Sequence, residues 1–149
     1  MNIYFQKSFA RGFGTYPLKG NTLRACIEAA MHAGYRAYDT AQMYSNEADT
    51  GDAIAASGLQ RDALCITTKV HPEHYSAEKF LPSVGKSLRD LKVNDVDCLL
   101  LHWPTIGGDI APSLKLLEQA LARGMTKHIG VSNFTVRMMT DAKSIVDVP

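Results

Sequence analysis

The chain has 149 residues, 46% of them hydrophobic and 21% charged, the proportions of a globular chain with a real core. Its formal charge of +1, with acidic and basic residues interspersed, creates no field for a phosphate backbone or an anionic membrane, so nucleic acid is not an expected partner. No apolar run approaches the roughly 20 residues that span a bilayer, and the first residues lack the apolar stretch and cleavage site of a signal peptide; a cytoplasmic location is expected.

Along the chain, short apolar runs rich in β-branched and aromatic residues alternate with longer runs of helical spacing. A first strand is predicted around Gly12 to Tyr16, then a helix capped at Asn21 or Thr22 that reaches about His32 and closes at Gly34. Tyr35 to Thr40 reads as the second strand, with Tyr44 on the following loop and Asn46 as the cap of a helix that runs through Ala56 to Gly58. The third strand is Leu64 to Val70. A loop with Pro72 and Tyr75 leads into a helix from Ser76 or Ala77 to about Leu91, with Pro82 near its first turn. Val96 to His102 is the fourth strand, Ala111 to Arg123 a helix, Lys127 to Val131 the fifth strand and Val136 to Val146 a last helix. No linker or charge block divides the chain, so residues 1–149 are read as a single domain.

Cys26, Cys65 and Cys98 are odd in number, widely spaced and set among apolar neighbours, the pattern of reduced core thiols. Neither CxxC nor HExxH occurs, so no metal centre is expected. Near-continuous apolar strands such as VDCLLLH suit a sheet buried on both faces, and right-handed crossovers make consecutive strands parallel. The class is α/β, closed either as an open doubly wound sheet or as part of an eight-stranded barrel; pattern alone leaves both open.

In either closure, ligand chemistry gathers at the C-terminal ends of the strands. Asp39 follows the second strand, Tyr44 lies on the loop beyond it, Lys69 ends the third, His102 ends the fourth, and Ser132 and Asn133 follow the fifth. A carboxylate, a phenol, an amine and an imidazole on one rim make a proton-donor assembly. A free phenol, titrating near about 10, is a poor acid at neutral pH unless a cation such as Lys69 stabilises its phenolate. Asp39 would orient Lys69 by a charge-assisted bond, and His102 would hydrogen-bond the substrate oxygen. A metal-dependent hydrolase built on Asp39 and His102 lacks the paired histidines and carboxylates that it needs.

The segments GFGTY, GYRAYDTAQMYSNEADTG, ITTKV, VDCLLLHWP and HIGVSNF, spanning Gly12 to Phe134 in this order, are similar to the aldo-keto reductase family, with the flavour of its bacterial diketogluconic acid and methylglyoxal reductase branch. The resemblance implies a (β/α)8 TIM barrel, here an incomplete one of about five βα units, and reduction of a small aldehyde, ketone or keto sugar with NADPH. It implies Tyr44 as the general acid, Lys69 and Asp39 as the pair that tunes it, and His102 as the group that orients the carbonyl. Ser132 and Asn133 match the pair that holds the nicotinamide carboxamide. Gly14 and Thr15 match the turn near the cofactor ribose, which Asp39 also borders, and Tyr16 and Trp103 match the walls of the substrate pocket.

Blander roles are expected elsewhere: Asn46 and Glu47 cap and begin the second helix, His71 and His74 sit in a loop without facing the pocket, His32 ends a helix and His128 lies in a strand. Two departures from the family stand out. The opening MNIYFQKSFARGF replaces its usual hairpin, and the sequence stops at Pro149 where a sixth strand is expected to begin. The open edges and the barrel-lining face are then expected to be covered, for instance by self-association, or the chain to be a catalytically silent truncated barrel.

Overall fold

The computed structural model describes residues 11–105 and 107–146; the readings of the opening hairpin and of the chain's end fall on residues outside these. Strands β1 (Gly12–Gly14), β2 (Ala37–Asp39), β3 (Cys65–Val70), β4 (Val96–Leu101) and β5 (Thr126–Val131) lie side by side in chain order, every pairing parallel. Helices α1 (Gly20–His32), α2 (Glu47–Ala56), α3 (Phe80–Leu91) and α4 (Ala111–Ala122) form the crossovers, and α5 (Val136–Ile145) follows β5.

The helices cover one face of the sheet because their apolar residues recur at the spacing of one helical stripe. On α1 the buried positions are Leu23, Ile27, Ala30 and Met31; on α3 they include Phe80, Val84, Leu88 and Leu91. These meet Tyr38, Ile66, Leu99 and Leu101 from the strands in the main core. Each large apolar side chain fully withdrawn from water there contributes about 1.5–3 kcal/mol. Alternation along the strands sends Ala37, Cys65, Thr67 and Cys98 to the opposite, inner face. Ala37 and Cys65 pack on each other, apart from the main core. All four are buried, so the middle of the inner face is less open than a five-stranded sheet suggests.

The N-terminal end of the sheet is held by charge. Asp97, 3% exposed, meets Arg61 at 2.6 Å and Lys127 at 2.9 Å and accepts the Ile66 amide at 2.8 Å. Two element boundaries differ from the sequence reading for visible reasons. Tyr35 turns its amide back to the Ala30 carbonyl and so closes α1 rather than opening β2. Helix α1 begins at Gly20, without a capping side chain of its own, because Asp49 of α2 accepts the Gly20 amide at 2.7 Å. Residues Ser76–Lys79 form turns ahead of α3, and Pro82 sits in its first turn as expected. No disulfide joins Cys26, Cys65 or Cys98.

Candidate active site

The C-terminal ends of β1 to β5 share one rim, and the predicted polar residues come to it from successive strands. Asp39 is the last residue of β2, in register with Gly14 of β1. Tyr44 ends a single 3-10 turn, Gln42–Tyr44, closed by Ser45 in the left-handed region at φ 51°. Lys69 lies next to the end of β3, and His102 follows β4.

Lys69 is the hub. Its ammonium is buried, yet each of its three donors has an acceptor: Asp39 Oδ1, the Thr40 carbonyl at 2.9 Å and the Tyr44 hydroxyl at 3.3 Å. The same nitrogen lies 5.0 Å from the centre of the Tyr44 ring, within cation–π range. The ring is edge-on to His102 at 5.4 Å and tilted against Tyr16 at 5.1 Å, while His102 stacks on Trp103 at 6.3 Å. Burial, then the Lys69 charge, hold the His102 imidazole below its ordinary value, with Asp39 opposing, so the ring is neutral at neutral pH.

The residues assigned to the cofactor lie on the flanks of this hub. The Thr15 amide donates to the Asp39 carbonyl at 2.9 Å, and Thr15 itself is fully buried. The Ser132 amide donates to the Leu101 carbonyl at 2.9 Å. Asn133, left-handed at φ 62°, donates its side-chain amide to the His102 carbonyl at 2.8 Å and to Ser132 Oγ at 3.1 Å. Among the described residues, the buried side-chain polar atoms left without a partner are Thr15 Oγ1, His102 Nδ1 and Arg61 Nε. Two of these three belong to residues that the sequence assigned to a ligand. Tyr16 and Trp103, 69% and 46% exposed, stand at the rim.

Two hollows lie away from this cluster. The larger hollow, about 770 Å³, lies between α1 and α2 on the outside, lined by Arg24, Arg36, Asp52 and Lys92 among others. A second, about 340 Å³, lies between α4, α5 and β5. Neither contains any of the four clustered residues; the chemistry, not the volume, locates the site.

The sequence reading missed the network behind the rim. Asn46 holds the N-cap position of α2 but does not cap it with its side chain. Instead its amide accepts from Thr40 Oγ1 at 2.9 Å and donates to the carbonyls of Thr15 at 3.2 Å and Leu18 at 2.9 Å, tying the β1 loop to the β2 loop. Glu47 begins α2 as expected, but it is buried and accepts from Thr68 Oγ1 at 2.6 Å and Ser87 Oγ at 3.1 Å; burial pushes its carboxyl up, partly offset by those two hydroxyls. His71 and His74 are half-buried rather than loose loop groups, and both meet Gln42. The sequence signal for these was only their polarity inside a strand-end motif.

Comparison with known proteins agrees with the fold. The Aldo/keto reductase family pattern matches residues 12–148. The methylglyoxal reductase DkgB of Salmonella typhi is 43% identical over 139 residues, which are 92% of this chain and 52% of that protein. The 2,5-diketo-D-gluconic acid reductase B of a Corynebacterium species is 35% identical over 91% of this chain and 48% of its own length. A crystal structure of a Bombyx mori aldo-keto reductase in complex with NADP superimposes with a TM-score of 0.82 at 27% identity, covering 92% of this chain and 50% of that one. The chain thus spans about half the length of the curated relatives it matches, and its sheet is part of a (β/α)8 barrel. With 137 residues matched and five parallel βα units in sequential order, the chain belongs to the aldo/keto reductase family.

Proposed function

We propose that this chain carries the carbonyl-reducing centre of an NADPH-dependent oxidoreductase acting on a small aldehyde, ketone or keto sugar. The observation that carries the reading is Lys69 Nζ bonding at once to Asp39, the Thr40 carbonyl and the Tyr44 hydroxyl. When bound, NADPH supplies a hydride to the carbonyl carbon. Tyr44 is the general acid and gives its proton to the carbonyl oxygen as negative charge develops there. The Lys69 ammonium stabilises the phenolate left behind, and Asp39 keeps that ammonium in place. His102, neutral and fixed through its backbone by Asn133, donates a hydrogen bond that orients the carbonyl.

Gly14, Thr15, Asp39, Ser132 and Asn133 make up the cofactor side of the site, and Tyr16 and Trp103 the substrate walls. Thr15 Oγ1 and His102 Nδ1 are buried without a partner on this side of the sheet. The reductase names of the relatives support a small dicarbonyl or keto sugar as the substrate class. A cytoplasmic location and self-association that covers the sheet edges belong to the same proposal.

Tyr44→Phe is expected to lower turnover by about 10²–10⁴-fold, while NADPH still quenches Trp103, the sole tryptophan. Undiminished carbonyl reduction by that variant sinks the mechanism. A second reading, that the chain is catalytically silent, keeps the fold and gives up the cofactor. Failure of millimolar NADPH to quench Trp103 in the unmodified chain selects it.

A further inference from the structure

Gln42 is half-buried two residues before Tyr44, in the same 3-10 turn, and every hydrogen-bonding position of its amide is used. Nε2 donates to Ser83 Oγ at 3.2 Å and Ser87 Oγ at 3.1 Å, both on α3. Oε1 accepts the His71 amide at 2.9 Å and lies 2.9 Å from His74 Nδ1. An amide oxygen has no proton to give, so His74 must carry its proton on Nδ1. His71 shows the opposite form, its Nδ1 accepting the Glu73 amide at 3.0 Å. Reversing the Gln42 amide would set its NH2 against the His71 N–H, so the orientation is fixed by backbone.

The loop that Gln42 grips begins two residues after Lys69, and the helix that it grips is linked through Ser87 and Glu47 to Thr68, the residue before Lys69. One side chain thus ties the turn carrying the phenol to both flanks of the strand end carrying the ammonium. We propose that Gln42 is a positioning residue: it fixes the Tyr44 hydroxyl against Lys69 and His102 by bridging the Gln42–Tyr44 turn to the His71–His74 loop and to α3. This inference rests on the functional reading above for its catalytic consequence, but not for its geometry.

The test compares Gln42→Met with the unmodified chain by NMR and by steady-state kinetics. In the unmodified chain, the ring-nitrogen shifts of His74 are expected to report the Nδ1–H form, with cross-peaks between the Tyr44 and His102 rings, assigned with Tyr44→Phe and His102→Gln. Gln42→Met is expected to lose both signatures and to lower kcat on the order of tenfold to a hundredfold with KM little changed, the effect of a misplaced acid rather than of lost binding. Gln42→Glu keeps acceptor oxygens for His71 and His74 but has no proton for Ser83 and Ser87, whose own protons go to the Phe80 carbonyl and to Glu47; it is expected to keep the His74 signature and to recover kcat only in part. Should Gln42→Met not fold, Gln42→Asn, one methylene too short to reach both His71 and Ser87, is judged by the same signatures. Tyr44–His102 cross-peaks and kcat retained in the disrupted variant overturn the proposal. If the unmodified chain reduces no carbonyl, the functional reading falls and the cross-peaks alone decide the positioning.

Discussion

A buried ammonium is tolerated at position 69 because three acceptors meet its three protons, one of them a carboxylate. The neighbouring imidazole is compensated only in part by Asp39: His102 is held down first by burial and then by Lys69, and His74 first by burial and then by His71 and Lys79. Both therefore take up protons less readily folded than unfolded. Stability from these two groups is complete above the ordinary histidine value of about 6.5 and declines as pH falls below it, since the unfolded chain then binds more protons. Urea midpoints are expected to drop between about pH 7 and pH 5, and His102→Gln to flatten part of that drop; an unchanged slope in the variant places the acid sensitivity elsewhere. Asp39, Lys69 and His102 were legible in the sequence because each lies at the end of an apolar strand run, and Tyr44 because it stands in the loop just beyond one. Gln42 was not, because its importance lies in four partners on two distant segments, and no spacing rule encodes them.

At the scale of elements, the junction of α2 and α3 decides whether Glu47 reaches Ser87. Gly51 sits at this crossing, where an added Cβ would lie 2.2 Å from the Asp90 carbonyl oxygen and 2.7 Å from Leu91 backbone atoms. Backbone on both sides cannot yield as a flexible side chain would. Alanine ordinarily stabilises a helix interior over glycine by about 1 kcal/mol, but overpacking costs roughly 1–3 kcal/mol or more, and here the clash wins. Gly51→Ala is expected to lower the unfolding free energy in urea titration by at least about 1 kcal/mol; a more stable variant would mean that the helices separate freely. Helices α1 and α3 were readable from their apolar stripes, and α2 from its boundaries. The capping role assigned to Asn46 was not fulfilled, because carbonyls from another loop outcompete its own helix for the amide. The same competition explains α1, whose first amide is satisfied by Asp49 rather than by a local cap.

For the molecule as a whole, the parallel sheet ends in β1 and β5, each hydrogen-bonded to a neighbour on one side only among the described residues. On β5, Lys127 and His128 are exposed, and an apolar hollow lined by Leu114, Ile129, Val131 and Ala142 opens beside it. Unpaired strand edges next to apolar surface favour association. Light scattering of the purified chain is expected to give a mass above that of one copy, and Ile129→Lys to reduce it. A monodisperse single copy at every concentration tested would refute the proposed association. No helix among the described residues is long and apolar enough to cross a membrane. The βα rhythm made the class readable, whereas the choice between open sheet and barrel needed the family resemblance, since strand pattern is the same in both.

Sequential strand order also makes the site a collective property. Every strand pairs with the one just before it, yet each parallel pairing spans a whole crossover of helix and loops. Lys69 meets Asp39 across 30 residues of chain and Asn133 meets His102 across 31, so no single βα unit holds the rim by itself. Opening any one of these strands therefore releases the side chains of its neighbours as well, and the rim is as stable as its weakest pairing.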